Sequence, residues 1–348
     1  MHCTRFLSFF PRLAAISLVL LAATLAARAN AQTAPAPRVC QRQDVAVSLV
    51  PGGLATQRVA TWLCARGPLS ASRTVQVLLS GNTYGSVYWD FPYRPEQYSY
   101  VHWMTDAGYV TLSVDRIGTG QSSRPLSTFV NMTSNAWVIE QVVAKLASGS
   151  LAGVPFSKIV LVGHSYGSAV GMLVASHSRA VDGLIVSGML HGVGYGLLLN
   201  TAVMYPAQLD PRFAGQSMPL GYLTSRPGQR SVFYWVPGTE PEVIAADEAT
   251  KATMTLEESL TQVLGVAASL SLSVPVLSVV GDYDATFCGV PTCSEPGSTA
   301  ALEPLFYPPA AQLELHVVPN TGHDLNLHRS APIWFAIAQE WMDRRFGP

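Results

Sequence analysis

Six short, mostly apolar runs, separated by segments of helical periodicity, constrain this chain more than any other feature. They are Thr74–Leu79, Tyr109–Val114, Lys158–Val162, Gly183–Val186, Pro275–Val280 and Leu313–Val318. Runs that are apolar at nearly every position, rather than at every second one, fit strands covered on both faces. Helical spacing marks Glu96–Ala107, Ala136–Ala147, Tyr166–Ser176 and the C-terminal Pro332–Arg345, where Trp334, Ile337, Ala338 and Trp341 share a face. The alternation predicts an α/β fold, a mostly parallel twisted sheet with helices on both faces.

Residues 190–272 break that rhythm. They are rich in Gly, Pro and aromatic residues at first, then carry an acidic helical stretch, Val243–Leu264. This segment reads as a cap or lid inserted over the carboxyl ends of the strands. The sheet-bearing domain would then comprise 32–189 and 273–348.

The chain is 49% hydrophobic and only 12% charged, about half the charged share of an ordinary soluble domain. Disorder driven by charge is excluded. Only Lys145, Lys158 and Lys251 are lysines, and no basic run occurs, so a phosphate-tracking nucleic-acid partner is not expected. Part of the apolar surplus lies at the start. Arg5 and Arg12 precede the uncharged stretch Leu13–Ala27, and Ala29-Asn30-Ala31 follows it. This is the pattern of a secretory signal peptide, residues 1–31, cut after Ala31. At ~1.5 Å per residue the stretch falls short of the ~30 Å needed to span a bilayer. Cleavage leaves 18 basic against 22 acidic residues, with 32–38 as a flexible start. The expected location is secreted or periplasmic, with no stable membrane span after cleavage.

Cysteine usage agrees with export. Cys40, Cys64, Cys288 and Cys293 remain after the leader, an even number suited to an oxidising compartment. Four cysteines allow three pairings. Cys288 and Cys293 enclose a tight loop, while Cys40 and Cys64 flank two strand-like runs, Val45–Val50 and Val59–Leu63, that would form a hairpin. The expected bridges are Cys40–Cys64 and Cys288–Cys293. No Cys or His pair has metal-ligand spacing, and neither metal nor cofactor is expected.

The strongest chemical signal is Gly163-His164-Ser165-Tyr166-Gly167, directly after the run Lys158–Val162 and before a small-residue helix. Gly-x-Ser-x-Gly between strand and helix is a nucleophile elbow. It exposes a serine hydroxyl at a strained turn and aims a helix N-terminus at developing negative charge.

With this elbow the sequence resembles the α/β-hydrolase superfamily over roughly residues 74–346. The resemblance implies a triad in the order Ser, acid, His. Gly281-Asp282-Tyr283-Asp284 follows the run Pro275–Val280. The superfamily's acid commonly takes the later acidic position, Asp284, with Asp282 as the rival. Pro319-Asn320-Thr321-Gly322-His323-Asp324 follows the last run, and its Gly-His pair implies His323 as base. His316 within the strand and His328 beyond the loop read as structural. Serine needs a base to become a nucleophile, histidine serves near neutral pH, and the acid holds the imidazole in the productive tautomer.

The resemblance also implies an oxyanion hole from the backbone N–H groups of Tyr166 and of Asn82, with Thr83 as fallback. Asn82 lies in Ser80-Gly81-Asn82-Thr83-Tyr84, where many relatives carry His-Gly-x and this chain has Ser80. Asp115-Arg116-Ile117-Gly118-Thr119-Gly120-Gln121-Ser122 resembles another superfamily turn and reads as structural; it lacks the Gly-Lys-Ser/Thr of a phosphate-binding loop. Eight aromatics lie between Tyr84 and Trp103. Most read as core, while Tyr84 and Tyr88 are candidates to line an acyl pocket. Tyr-Trp-Asp-Phe-Pro-Tyr with Asp-Arg-Ile-Gly-Thr-Gly is similar to a little-characterised branch, some members of which accompany polyketide biosynthesis. Asn131-Met-Thr133 is a glycosylation sequon with meaning only in a eukaryotic source.

These features point to a secreted serine hydrolase acting on a small-molecule carboxylic ester with a largely apolar acyl group. A thioesterase or lactonase would use the same apparatus. A non-catalytic hydrolase-fold binding protein would be expected to lack a triad member, and none is missing.

Overall fold

The computed structural model describes residues 36–348 and His2; the remainder of the expected leader 1–31 lies outside the described residues. Arg38–Pro348 form one compact unit. The chain begins with an antiparallel hairpin, β1 (Arg38–Val47) and β2 (Gln57–Arg66), in which Cys40 pairs opposite Cys64. Both expected bridges, Cys40–Cys64 and Cys288–Cys293, are present. Then follow β3 (Thr74–Leu79), β4 (Val110–Val114), β5 (Lys158–His164) and β6 (Gly183–Ser187). After β6 come three short strands, β7 (Met204–Pro206), β8 (Tyr222–Ser225) and β9 (Met254–Thr255), which form a small separate sheet. β10 (Val276–Gly281) and β11 (Glu314–Val318) return to the main sheet, whose order is β1-β2-β4-β3-β5-β6-β10-β11. From β4 to β11 every pairing is parallel, and β2 joins β4 antiparallel.

Burial follows the apolar pattern strand by strand. Every residue of β3, β4, β6 and β10 is buried, as is β5 beyond Lys158. β11 departs from the expectation: at the sheet edge only its Val318 is fully buried, and His316 is exposed. Successive side chains of a strand face opposite ways, so Leu161 enters one core while Val160 and Val162 enter the other.

Among the described residues the α-helices of seven residues or more are α1 (Tyr100–Asp106), α2 (Met132–Ala147), α3 (Tyr166–His177), α4 (Gly196–Ala202), α5 (Pro241–Thr250), α6 (Leu256–Ala267) and α7 (Ala331–Arg345). α7 buries Trp334, Ala338 and Trp341 as its spacing predicts. Two expected helices are interrupted. Glu96–Ala107 divides at Ser99, which is extended and whose hydroxyl accepts the His102 N–H at 2.9 Å to cap α1. Val243–Leu264 divides into α5 and α6. Thr255 and Glu258 form a reciprocal capping box there, each side chain accepting the other's N–H, at 3.1 and 2.8 Å. The segment between β6 and β10 packs on the main unit through α6. A methyl group on Gly265 would lie 2.5 Å from the Ala169 carbonyl oxygen of α3.

Candidate active site

Ser165 sits where β5 turns into α3, with φ +52° and ψ −120°. A non-glycine residue at positive φ costs on the order of 1–3 kcal/mol, so its surroundings must hold it there. The Ser165 N–H donates to Ser187 O at 2.8 Å. The flanking glycines leave no room for relaxation: a Cβ on Gly163 would lie 2.4 Å from Ser168 Cα, and one on Gly167 would lie 2.1 Å from the Leu79 carbonyl oxygen.

Two loops at the carboxyl ends of β10 and β11 converge on this turn. His323 Nε2 lies 3.0 Å from Ser165 Oγ, and His323 Nδ1 lies 2.9 Å from Asp284 Oδ2. Asp284 is fully buried, and its other oxygen accepts the Thr286 N–H at 2.9 Å. Burial alone would depress the basicity of His323, but the charge and hydrogen bond of Asp284 outweigh it and raise its pKa above the ordinary value. Asp282 points elsewhere, its Oδ1 accepting the Thr321 N–H at 3.0 Å, so it ties the two loops together.

His328, beyond the loop, is buried and neutral. Its Nε2 accepts the Trp235 and Gly322 N–H groups, both at 3.0 Å, which leaves Nδ1 to donate to Asp324 O at 2.8 Å. Burial drives its pKa down to about 4, so the ring pins the loop carrying His323 without charging near neutral pH.

The Ser80–Tyr84 loop lies against the elbow. A Cβ on Gly81 would come within 3.0 Å of Ser165 Cβ. Ser80 Oγ donates to Tyr84 O at 3.0 Å and closes the loop locally. Thr83 takes φ +63° and its carbonyl accepts the Ala252 N–H at 2.8 Å. Asn82 is half-buried, with Oδ1 lacking a hydrogen-bond partner among the described residues. Tyr166 opens α3, so its N–H is one of the four first-turn donors without an intrahelical acceptor.

Tyr84 and Tyr88 differ from the sequence expectation. Neither ring stands free to line a pocket, because both belong to a packed layer against the elbow. Tyr88 stacks on His164 at 4.4 Å between centroids. The Tyr84 hydroxyl bonds to Asp324 Oδ2 and lies 3.1 Å from Asp247 Oδ2. Asp247 in turn accepts both prongs of Arg230 at 2.8 Å and the Tyr234 hydroxyl at 2.7 Å. His164 Nε2 donates to Asp324 Oδ1 at 3.2 Å while its Nδ1 has no partner, which fits a neutral ring, and burial lowers its pKa. The sequence showed none of these bonds, whose partners lie up to 240 residues apart.

Among the described residues, one His/Cys/Asp/Glu group has donor atoms close enough for an ion: His164, His323 and Asp324, within 4.8 Å of one another. His323 is already bonded through both nitrogens to Ser165 and Asp284, and Asp324 through both carboxylate oxygens to His164 and Tyr84. A cleft of about 490 Å³, lined in part by Trp62, Asp115, Arg124, Arg212 and Lys251, contains neither Ser165 nor His323.

The sequence profile of a family described as "Alpha/beta hydrolase family" matches residues 76–338. The chain belongs to the alpha/beta hydrolase family. Solved structures agree with this alpha/beta hydrolase at the level of the fold. A thermophilic esterase from Thermogutta terrifontis superposes with a TM-score of 0.57 at 18% identity, covering 88% of this chain and 99% of that one. For the monoacylglycerol lipase of Paleococcus ferrophilus the TM-score is 0.55 at 13% identity, with 83% and 99% covered. A thioesterase domain from the curacin biosynthetic pathway gives 0.53 at 15% identity, with 86% and 99% covered. No curated protein matches the sequence.

Proposed function

We propose that this alpha/beta hydrolase is an exported serine esterase that cleaves carboxylic esters with a largely apolar acyl group. The observation that carries the reading is the unbroken chain Ser165 Oγ, His323 Nε2, His323 Nδ1, Asp284 Oδ2, with links of 3.0 and 2.9 Å. Each atom is at hydrogen-bonding distance from the next, as general-base activation of a hydroxyl requires.

In the proposed course, Ser165 Oγ attacks the ester carbonyl carbon as His323 Nε2 takes its proton. Asp284 holds the Nδ1–H and offsets the charge of the imidazolium. The carbonyl oxygen, now anionic, is received by the N–H groups of Tyr166 and Asn82. Collapse expels the alcohol, which takes the proton from His323 and leaves an acyl group on Ser165. Water, deprotonated by His323, then attacks the acyl carbon; the bond to Ser165 Oγ breaks, His323 returns the proton to Oγ, and the acid is released.

The substrate's apolar character is supported by α4, whose Leu197, Leu198 and Leu199 are exposed. The start of this helix is bonded through Gly194 and Gly196 to Thr286 O and Ala285 O, next to Asp284, both at 2.8 Å. The segment 190–272 that carries it is proposed as the cap. Export is supported by the two disulfides and by the leader pattern ending at Ala31; no described helix is long and apolar enough to cross a membrane.

Labelling with a fluorophosphonate probe tests the reading. The wild type should carry one adduct, on Ser165, and Ser165→Ala should carry none while losing p-nitrophenyl ester turnover with its circular dichroism unchanged. An unlabelled wild type, or turnover surviving Ser165→Ala, would refute it. Matched oxygen esters, thioesters and lactones in the same assay rank the leaving groups.

A further inference from the structure

Arg116 is fully buried, in a turn whose glycines alone drew notice in the sequence. Its guanidinium makes four hydrogen bonds. Nε donates to Ser80 O at 2.9 Å and Nη2 to Gly81 O at 3.2 Å. Nη1 donates to Asn135 Oδ1 at 3.0 Å and to Glu258 Oε1 at 2.5 Å. The guanidinium carbon also sits 4.7 Å from the centre of the Tyr166 ring.

Two of those acceptors are the carbonyls of consecutive residues immediately ahead of Asn82. In a trans peptide the C=O and the following N–H point in opposite directions. Holding Gly81 O toward Arg116 therefore turns the Asn82 N–H away from it. Gripping Ser80 O at the same time fixes the torsion between the two peptide planes, a task suited to the rigid fork of arginine and not to the single ammonium of lysine. The same planar group packs on the side chain of Tyr166, the residue that begins α3. One side chain thus touches both segments from which an oxyanion would be held.

We infer that Arg116 is a positioning residue for the oxyanion hole, aligning the Asn82 and Tyr166 N–H groups through its contacts with Ser80, Gly81 and the Tyr166 ring. This rests on the serine-hydrolase reading above. Glu258, contributed by α6 between β6 and β10, balances the buried charge. Its other oxygen accepts the Thr255 N–H at 2.8 Å, and Asn135 Nδ2 donates to Oε1 at 3.0 Å. A buried ion pair of this kind is weak as a source of stability, so geometry imposed on the Ser80–Asn82 backbone is the more informative product of the arrangement.

The test compares Arg116→Lys, Arg116→Met and the double variant Arg116→Met/Glu258→Gln with wild type. The double variant removes the stranded charge that would unfold the single one, and glutamine keeps an acceptor for the α6 cap. Because loss of one oxyanion donor typically costs about 10²–10³ in turnover, each folded variant should lose about a hundredfold in kcat with KM changed by less than about threefold. Affinity for an alkyl trifluoromethyl ketone, whose serine adduct carries an oxyanion, should fall by the same factor as kcat/KM. A purely structural role would instead lower thermal stability and leave kcat of the folded fraction intact. Wild-type kcat in folded Arg116→Lys or in the folded double variant overturns the inference. If wild-type Ser165 fails to react with fluorophosphonate, the hydrolase reading falls and takes this one with it; labelling with unaltered Arg116 variants removes only the role of Arg116.

Discussion

Asp282 and Asp284 stand two residues apart on one loop and serve different partners. Asp284 Oδ2 lies 2.9 Å from His323 Nδ1, whereas Asp282 Oδ1 accepts the Thr321 N–H at 3.0 Å. Asp284→Asn should therefore lower kcat by roughly 10⁴-fold, the scale seen when a triad acid becomes an amide. Asp282→Asn should lower it by less than about tenfold, through slackening of the Thr321 contact. Steady-state kinetics on p-nitrophenyl esters check both, and the reverse ranking would exchange the roles.

The pH dependence has a defined sign. In the proposed mechanism only neutral His323 can accept the serine proton, and its pKa stands above the ordinary histidine value because Asp284 outweighs the effect of burial. Acidification should thus extinguish kcat/KM through an apparent pKa above ~6.5. Replacing Asp284 by Asn should move that limb to lower pH. A wild-type acid limb below the ordinary histidine value in the kcat/KM profile would contradict the assignment.

Gly167 faces the Leu79 carbonyl oxygen so closely that a methyl group would stand 2.1 Å away. Backbone cannot yield there without parting β3 from α3. Gly167→Ala should cost about 3 kcal/mol or more, the upper end of core overpacking, and should remove turnover in whatever remains folded. Urea denaturation paired with active-site titration separates the two effects.

The disulfides should act differently. Cys40–Cys64 spans a separation of 24 residues on a two-strand hairpin, and its removal as a double alanine variant should cost about 3.5 kcal/mol by loop-closure entropy with little change in kcat. Cys288–Cys293 closes a separation of 5, worth about 2 kcal/mol on the same argument. The Cys288 N–H donates to Asp284 O and the Cys293 N–H to Asp282 O, at 2.8 and 3.1 Å. Opening this bridge should therefore lower kcat several-fold by loosening the acid loop. Kinetics and denaturation curves of the two double variants test that contrast.

The features legible in the sequence are those written over short spans. Apolar runs such as Val276–Val280 announced buried strands, and glycines on either side of Ser165 announced the sharp turn. Family order then brought Asp284 and His323 forward, but Asp282 stayed open because a two-residue shift on a loop leaves no periodic trace. The break between α5 and α6 had a local signal, Thr255 followed three residues later by Glu258, that the surrounding acidic helical pattern obscured. Arg230 and Asp247 gave none, and nothing in the motifs that hold Tyr84, His164 and Asp324 told of the bonds that join them. Each is unremarkable alone, and their meaning depends on contacts between distant segments that only the closed sheet creates.

The stretch between β6 and β10 supplies Arg230, Asp247 and Glu258: Arg230 and Asp247 pair with each other while bonding to Thr83 and Tyr84, and Glu258 pairs with Arg116 of the main unit. It is consequently not an exchangeable cassette. A chimera whose replacement stretch lacked an acid at the place of Glu258 would keep Arg116 with its buried charge unpaired, so on the esterase reading substrate range is better altered by point changes on the outer face of α4 than by transplanting the insertion whole.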